Sequence, residues 1–431
     1  MKTIVYPEKS LWSSLCIRPS IDNKDIENVV SDIIDSVRRD KDKALNYYSL
    51  KFDGVSQDTL KVSEKEIMEA AGKISEELKS SINIAKLNIE KFHSAQLVTE
   101  PVIETSKGVY CWRKNIAIEK AGLYIPGGSA PLFSTVLMLG IPAKIAGCKE
   151  IIICTPPGRD GKVNPLILYT AQLIGITDIY KAGGAQAIAA MAFGTESIPK
   201  VYKIFGPGNQ FVTKAKELVQ QHGIAIDMPA GPSEVMVIAD GSANHEFIAA
   251  DLLSQAEHGP DSQVVMLTDN EMLISKVKTE LEQQLQQLPR RNIAEKALEN
   301  SMLILLPSLD DCINLSNIYA PEHLIINVAV PGILAQKVIN AGSVFMGSFS
   351  CESAGDYASG TNHTLPTNGF SRSYSGVSTE SFLKKITFQE MNSEGIKNLG
   401  PSIEVLAEAE SLSGHKNAVS VRLKSLENGK Y

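Results

Sequence analysis

The sequence has no C-x-x-C pair, no uncharged apolar run of membrane-spanning length and no cluster of basic residues. Each absence removes a class of protein. Its six cysteines (Cys16, Cys111, Cys148, Cys154, Cys312 and Cys351) lie mostly in apolar contexts such as EIIIC, which suits reduced thiols rather than a disulfide framework. The opening MKTIVYPEKSLW is broken by Pro7, Glu8 and Lys9, so no signal-peptide core forms; the mature chain is expected to begin near Met1 and to stay in the cytoplasm, without a membrane partner. A formal charge of −7 with scattered lysines leaves no electrostatic footprint for nucleic acid. Small molecules are the expected partners.

What is present is a globular composition, 43% hydrophobic and 21% charged over 431 residues, enough for two or three domains. Residues 22 to 95 read as helical: SEKE at Ser63 to Glu66 is a capping-box pattern, and Ile74, Leu78, Ile82 and Ile89 follow at helical spacing. From Val109 the pattern changes to short β-rich runs alternating with amphipathic stretches, as in GLYI, EIIICTPP, DIYKAGG and VYKIFGPG. A second such series runs from EVMVIAD to SVFMG. The expected fold is therefore α/β, with two tandem doubly wound parallel-sheet units behind N-terminal helices. Residues 347 to 378 are Gly-, Ser- and Thr-rich yet carry Glu352, Asp356, His363 and Arg372, the mark of a functional or disordered loop. The tail from about Phe382 reads as a short strand and two helices, too small for a core of its own.

Five stretches can carry chemistry. In NIYAPEHLIIN, Pro321 biases Ala320 away from the helical region, so Glu322 and His323 fall on a helix-to-strand connection; a solvated glutamate with a core histidine and an acid/base pair are both open there. In DLLSQAEHGP, Gln255 and His258 are three apart at the end of an expected helix, which suits either a metal site or a histidine on the helix macrodipole; further donors would be Asp356 and His415. VYKIFGPGNQF resembles a dinucleotide turn except that Phe211 replaces the third glycine, and Asp227 lies where a ribose-binding or a capping acid would sit. YIPGGSAP and KAGGAQA are further strand-to-helix turns, serving phosphate contact or packing alone. Cys148 and Cys154 have no neighbouring histidine or basic cluster to activate a thiolate, so both are read as buried structural thiols.

Taken together and in this order, YIPGG, KAGGAQA, FGPGN, DMPAGPSE, DLLSQAEHG, YAPEHL and SAGDYASGTNHTLPT resemble the histidinol dehydrogenase family, with SQAEHG, APEHL and SGTNHTLPT the most specific pieces. The resemblance runs from about Asp22 into the tail. It implies two Rossmann-like units and a zinc- and NAD-dependent oxidation of L-histidinol to L-histidine through L-histidinal. It places Zn2+ on Gln255, His258, Asp356 and His415, and the acid/base pair on Glu322 and His323. Substrate contacts fall on Ser233, His363 and Glu410, joined by Gln255, His258, His323, Asp356 and His415. NAD+ contacts fall on Tyr124, Gln186 and Asn209. The implied organisation is an arm over residues 1–21, a substrate and zinc domain over 22–117 with 232–380, a Rossmann-like NAD domain over 118–231, and a tail over 381–431 that crosses to a partner in a homodimer with shared active sites. Two rival readings are a related dehydrogenase of another small diol or amino alcohol, and a metal-free nucleotide-binding or regulatory protein with structural histidines.

Overall fold

The computed structural model describes residues 1–18, 23–127 and 131–429. The expected junction of the arm with the first helix, at residues 21 and 22, and Gly128 of YIPGG lie outside the described residues. Contacts divide the chain into two compact units, Met1–Gln96 with Ile118–Phe382, and Leu97–Ala117 with Leu383–Tyr431.

The larger unit opens with strand β1 (Lys2–Val5), followed by helices Asn23–Asp40, Asp42–Tyr48, Glu64–Ala70 and Glu76–Ser94 where helical periodicity predicts them. The Ser63 hydroxyl accepts the Glu66 N–H at 3.2 Å while the Glu66 carboxylate accepts the Ser63 N–H at 3.1 Å, which is the capping box that SEKE predicts. Apolar faces of these helices close two cores: Val30, Ile34 and Val37 join Ile188 and Ile204 in one, and Ile82 and Ile89 join Leu123 and Leu137 in the other.

Strands β2 (Ile103–Ser106) and β3 (Val109–Ala117) belong to the smaller unit. The larger one resumes with β4 (Lys120–Tyr124), β5 (Glu150–Thr155), β6 (Ile179–Lys181), β7 (Lys203–Phe205) and β8 (Ala225–Ile226). These form a parallel sheet in the order β6-β5-β4-β7-β8. Then come β9 (Glu234–Ala239), β10 (Gln263–Thr268), β11 (Met302–Leu305), β12 (His323–Asn327) and β13 (Ser343–Met346). They pair in parallel as β11-β10-β9-β12-β13, and β1 adds outside β11. The two sheets thus repeat one winding, in which the chain builds outward from its first strand and returns past it to place the fourth and fifth on the other side. Every residue of β9, β10 and β12 is buried, because helices cover both faces of a parallel sheet. Each buried Val, Ile or Leu there contributes about 1.5–3 kcal/mol relative to exposure.

In the smaller unit β14 (Leu383–Met391) runs antiparallel to β3 along its whole length, from Leu383 opposite Ala117 to Met391 opposite Val109. Trp112 stacks on Phe388 with ring centroids 5.6 Å apart. Helices Ser393–Ala409 and Ser413–Glu427 complete the unit, with Val405 and Leu406 exposed. Among the described residues no helix is long and apolar enough to cross a membrane.

Candidate active site

A doubly wound sheet opens a crevice where its winding reverses, between first and fourth strands. In the five-stranded sheet that point lies between β4 and β7; of the residues expected to meet a nucleotide, Tyr124 ends the first, Asn209 lies beyond the carboxyl end of the second, and Gln186 lies beyond that of the edge strand β6. Tyr124 ends β4, and its hydroxyl accepts the Gly184 N–H at 3.1 Å; burial pushes that phenol up to about 12. Gln186 stands in the first turn of helix Gly184–Phe193, and its buried Oε1 has no hydrogen-bond partner. Asn209 caps helix Gln210–Gln220, accepting the N–H groups of Phe211 and Val212 at 3.1 Å.

Gly206 separates β7 from that cap with φ +130°, and a Cβ on it would lie 2.1 Å from the Tyr124 carbonyl oxygen. The first glycine of FGPGN therefore serves close packing of two strands. Asp227 serves the same turn: it accepts the Gly206 N–H at 2.8 Å and the Met228 N–H at 2.7 Å, and pairs with the buried Lys216, which also donates to the Gly206 carbonyl at 2.9 Å. The capping reading of Asp227 holds, since its carboxylate is consumed inside the protein. The orphaned Gln186 oxygen is the group that fits a polar ligand at this crevice.

In the six-stranded sheet the winding reverses between β9 and β12, and here the polar residues stand at the amino ends of the strands. Ala320 ends helix Leu309–Tyr319 in the left-handed region, φ 57°, and Pro321 follows, so the chain turns sharply and delivers Glu322 and His323 at the start of β12. Both are buried. Glu322 Oε2 accepts the Glu234 N–H at 2.8 Å, and His323 Nδ1 lies 3.1 Å from the Glu234 carbonyl. His323 Nε2 faces Asp356 Oδ1 at 3.4 Å. Ser233 directly precedes Glu234.

Residues 347 to 378 are less irregular than their composition suggests. Helix Glu352–Tyr357 forms within them, and its i, i+4 spacing sets Glu352 and Asp356 on one face. Gly355 lies between them because a Cβ there would come within 2.6 Å of the Phe345 ring. Helix His245–Ala256 brings Gln255 in its last turn and His258 just past its end, where the His258 N–H still bonds the Gln255 carbonyl at 3.2 Å. The Gln255 amide fits where its nitrogen donates to Glu352 and its oxygen accepts the Glu234 N–H at 3.1 Å. Donor atoms of His258, Glu352 and Asp356 lie within 4.8 Å of one another. His363 closes the far side, its Nδ1 2.9 Å from the Asp356 carbonyl and its Nε2 3.0 Å from Thr135 Oγ1 on helix Phe133–Ala146.

The electrostatics explain what this cluster accepts. Burial pushes Glu322 up to about 8 despite His323, and pushes Glu352 well up as well. Burial alone would lower His323, but Glu352, Glu322 and Asp356 outweigh it and hold the imidazole at about 10. Burial keeps protons on Glu322 and Glu352, whereas Asp356, though buried too, is held below the usual carboxylate range by His323. Buried Glu352 Oε2, Asp356 Oδ1 and His323 Nε2 also lack hydrogen-bond partners. Oxygen and imidazole donors with free lone pairs and surplus negative charge fit a divalent cation, which would expel those protons.

Glu410 and His415 belong to the smaller unit, at the end of helix Ser393–Ala409 and in the first turn of Ser413–Glu427, and both are exposed. Sequence reasoning assigned no role to Glu234 or Arg18, and noted Glu352 without giving it one. The i, i+4 spacing of Glu352 with Asp356 was the available signal. Arg18 offered none. Cys148 and Cys154 are buried, and burial pushes both thiols up, Cys148 to about 11, which leaves no thiolate for nucleophilic attack.

Paired Rossmann-like sheets, one with a crevice where its winding reverses and the other with a buried glutamate and histidine beside a candidate cation cluster, define an α/β protein with an enzyme-like site. Residues 16–423 match the family model described as histidinol dehydrogenase. The chain belongs to the histidinol dehydrogenase family and is an oxidoreductase. A Bacteroides thetaiotaomicron histidinol dehydrogenase is 58% identical over 427 residues, covering 99% of this chain and 100% of that one. One from Aliivibrio fischeri is 50% identical over 431 residues, covering 99% and 97%. The crystal structure of histidinol dehydrogenase from Elizabethkingia anophelis has a TM-score of 0.97 at 58% identity, covering 99% of both chains.

Proposed function

We propose that the chain oxidises L-histidinol to L-histidine through L-histidinal, the last step of histidine biosynthesis, with two NAD+ reduced per substrate. The observation that carries this reading is the buried Glu322 and His323 pair held against the carboxylate and imidazole cluster, in a member of this family. In the first half, His323 takes the hydroxyl proton while a hydride leaves the same carbon, giving the aldehyde. In the second, Glu322 takes a proton from water, whose oxygen bonds to the aldehyde carbon. Protonated His323 returns its proton to the former carbonyl oxygen, and the hydrate so formed gives a proton back to His323 as a second hydride leaves. The alcohol loses four electrons in all, and water supplies the second carboxylate oxygen.

When bound, NAD+ is the hydride acceptor, held by Tyr124, Gln186 and Asn209. Zn2+ on Gln255, His258, Asp356 and His415 supplies orientation of the substrate's imidazole and amino nitrogens. Ser233, His363 and Glu410 complete the substrate's contacts. Glu410 and His415 come from a partner in a homodimer with shared active sites, and the compartment is the cytoplasm. A dehydrogenase of another small diol or amino alcohol is not favoured, since full-length relatives at 50% and 58% identity bear the name histidinol dehydrogenase. The test is a spectrophotometric count with zinc-loaded protein, histidinol and NAD+. Two NADH per histidinol consumed are expected; one NADH with histidinal accumulating would refute the reading.

A further inference from the structure

The backbone of one residue supports both members of the acid/base pair. The Glu234 N–H donates to Glu322 Oε2 at 2.8 Å, and the Glu234 carbonyl lies 3.1 Å from His323 Nδ1. In a neutral imidazole this carbonyl keeps the proton on Nδ1, leaving Nε2 as the basic nitrogen toward Asp356 and the site. Whatever fixes Glu234 therefore fixes where both bases point.

Arg18 does so from 216 residues away in the chain. Its Nε donates to Glu234 Oε1 and its Nη2 to Glu234 Oε2, both at 2.9 Å, and the Asn368 N–H donates to Oε1 at 2.8 Å. The same Nη2 donates to the Tyr319 carbonyl at 2.7 Å, and the guanidinium lies 3.5 Å from the centroid of the Tyr319 ring. Tyr319 and Ala320 form the left-handed turn that delivers Glu322, and the Ser371 hydroxyl donates to the Ala320 carbonyl at 2.9 Å. Arg18 thus clamps the start of β9 to the turn before β12, which are the two segments whose spacing sets the pair. Both partners of the ion pair are almost wholly buried, at 7% and 1% side-chain exposure. Burying such a pair carries a desolvation cost that apolar side chains of similar volume would avoid, so stability alone does not account for it.

We propose that Arg18 and Glu234 are positioning residues for the oxidation, Arg18 holding Glu234 so that its backbone aims Glu322 and His323 at the substrate; this rests on the function proposed above. A planar fork suits the task, because it meets a carboxylate and a carbonyl at once where an ammonium makes point contacts.

The test compares Arg18→Met and Arg18→Lys with the wild-type enzyme, all zinc-loaded, for kcat and KM with histidinol, zinc content and melting temperature. Misplacing a catalytic group by about 1 Å costs on the order of 100-fold, so Arg18→Met should lose about that much kcat while KM stays within about twofold. Arg18→Lys should fall between it and the wild type. A folded Arg18→Met with wild-type kcat overturns the proposal, as does a loss confined to KM or one that vanishes when zinc content is restored. If Arg18→Met does not fold, the lysine variant decides, and wild-type kcat there overturns the proposal. If the wild-type enzyme leaves histidinol untouched, the proposed function fails; a crystal structure of Arg18→Met then decides positioning, and an unmoved contact between Glu234 and Glu322 overturns it.

Discussion

At Glu322 a carboxylate and a backbone N–H share a buried site at the first residues of a strand, and its neighbour His323 takes the matching carbonyl. In the proposed mechanism these two bases divide two half-reactions. Glu322→Gln should slow histidinal oxidation by about 100-fold or more, the range of general-base effects, and histidinol oxidation far less, since only the second half needs nucleophilic water. Stopped-flow measurement on each substrate checks this; equal losses refute the division. His323→Asn should impair both halves, and a variant with normal histidinol turnover would remove His323 from the mechanism. Adjacent acid and histidine after a proline were legible in the sequence because local backbone rules place them on a turn. Glu352 was harder to read, because its meaning depends on a short helix inside a Gly- and Ser-rich stretch. Arg18 was illegible: its partners are 216 and 301 residues away.

Among elements, the turn from β7 into helix Gln210–Gln220 shows the same limit. FGPGN followed by an acid about 20 residues on suits a dinucleotide turn, yet the acid is spent on Lys216 and the Gly206 N–H. Asp227→Asn would leave the Lys216 ammonium buried without its counter-charge and should destabilise the protein by about 3–5 kcal/mol, read as a lower urea midpoint. An unchanged midpoint would show that the pair carries no structural load. Cys148, just before β5, and Cys154, within it, make the opposite case, where packing is the whole role. Replacing Cys148 and Cys154 together by Ala should lower the melting temperature through the cavities left and leave turnover unchanged. A folded double variant that releases histidinal but no histidine would restore a thiol to the mechanism.

At the scale of the whole molecule, the smaller unit carries Glu410 and His415 on exposed surfaces. In the proposed homodimer each active site takes Gln255, His258 and Asp356 from one chain and His415 from the other. His258→Ala and His415→Ala, each inactive alone, should then complement when subunits are exchanged by refolding a mixture. One site of each heterodimer collects both defects and the other neither, so random pairing restores about a quarter of wild-type activity. Activity unchanged from the separate variants, with heterodimers confirmed by native mass spectrometry, would exclude the shared site.

The sequence by itself determined the alternation of strand and helix, the capping box at Ser63, the absence of a disulfide framework, and the turn that presents Glu322 and His323. These follow from periodicity and from residues a few positions apart, where backbone sterics act locally. Tertiary structure decided that both sheets share one winding, that the polar pair stands at the amino ends of the second sheet, and that Glu352 joins His258 and Asp356. It also decided that Asp227 caps a turn and that Arg18 grips Glu234. Each depends on which distant segments meet, and on the energy of burying a charge beside its partner, which no local pattern encodes.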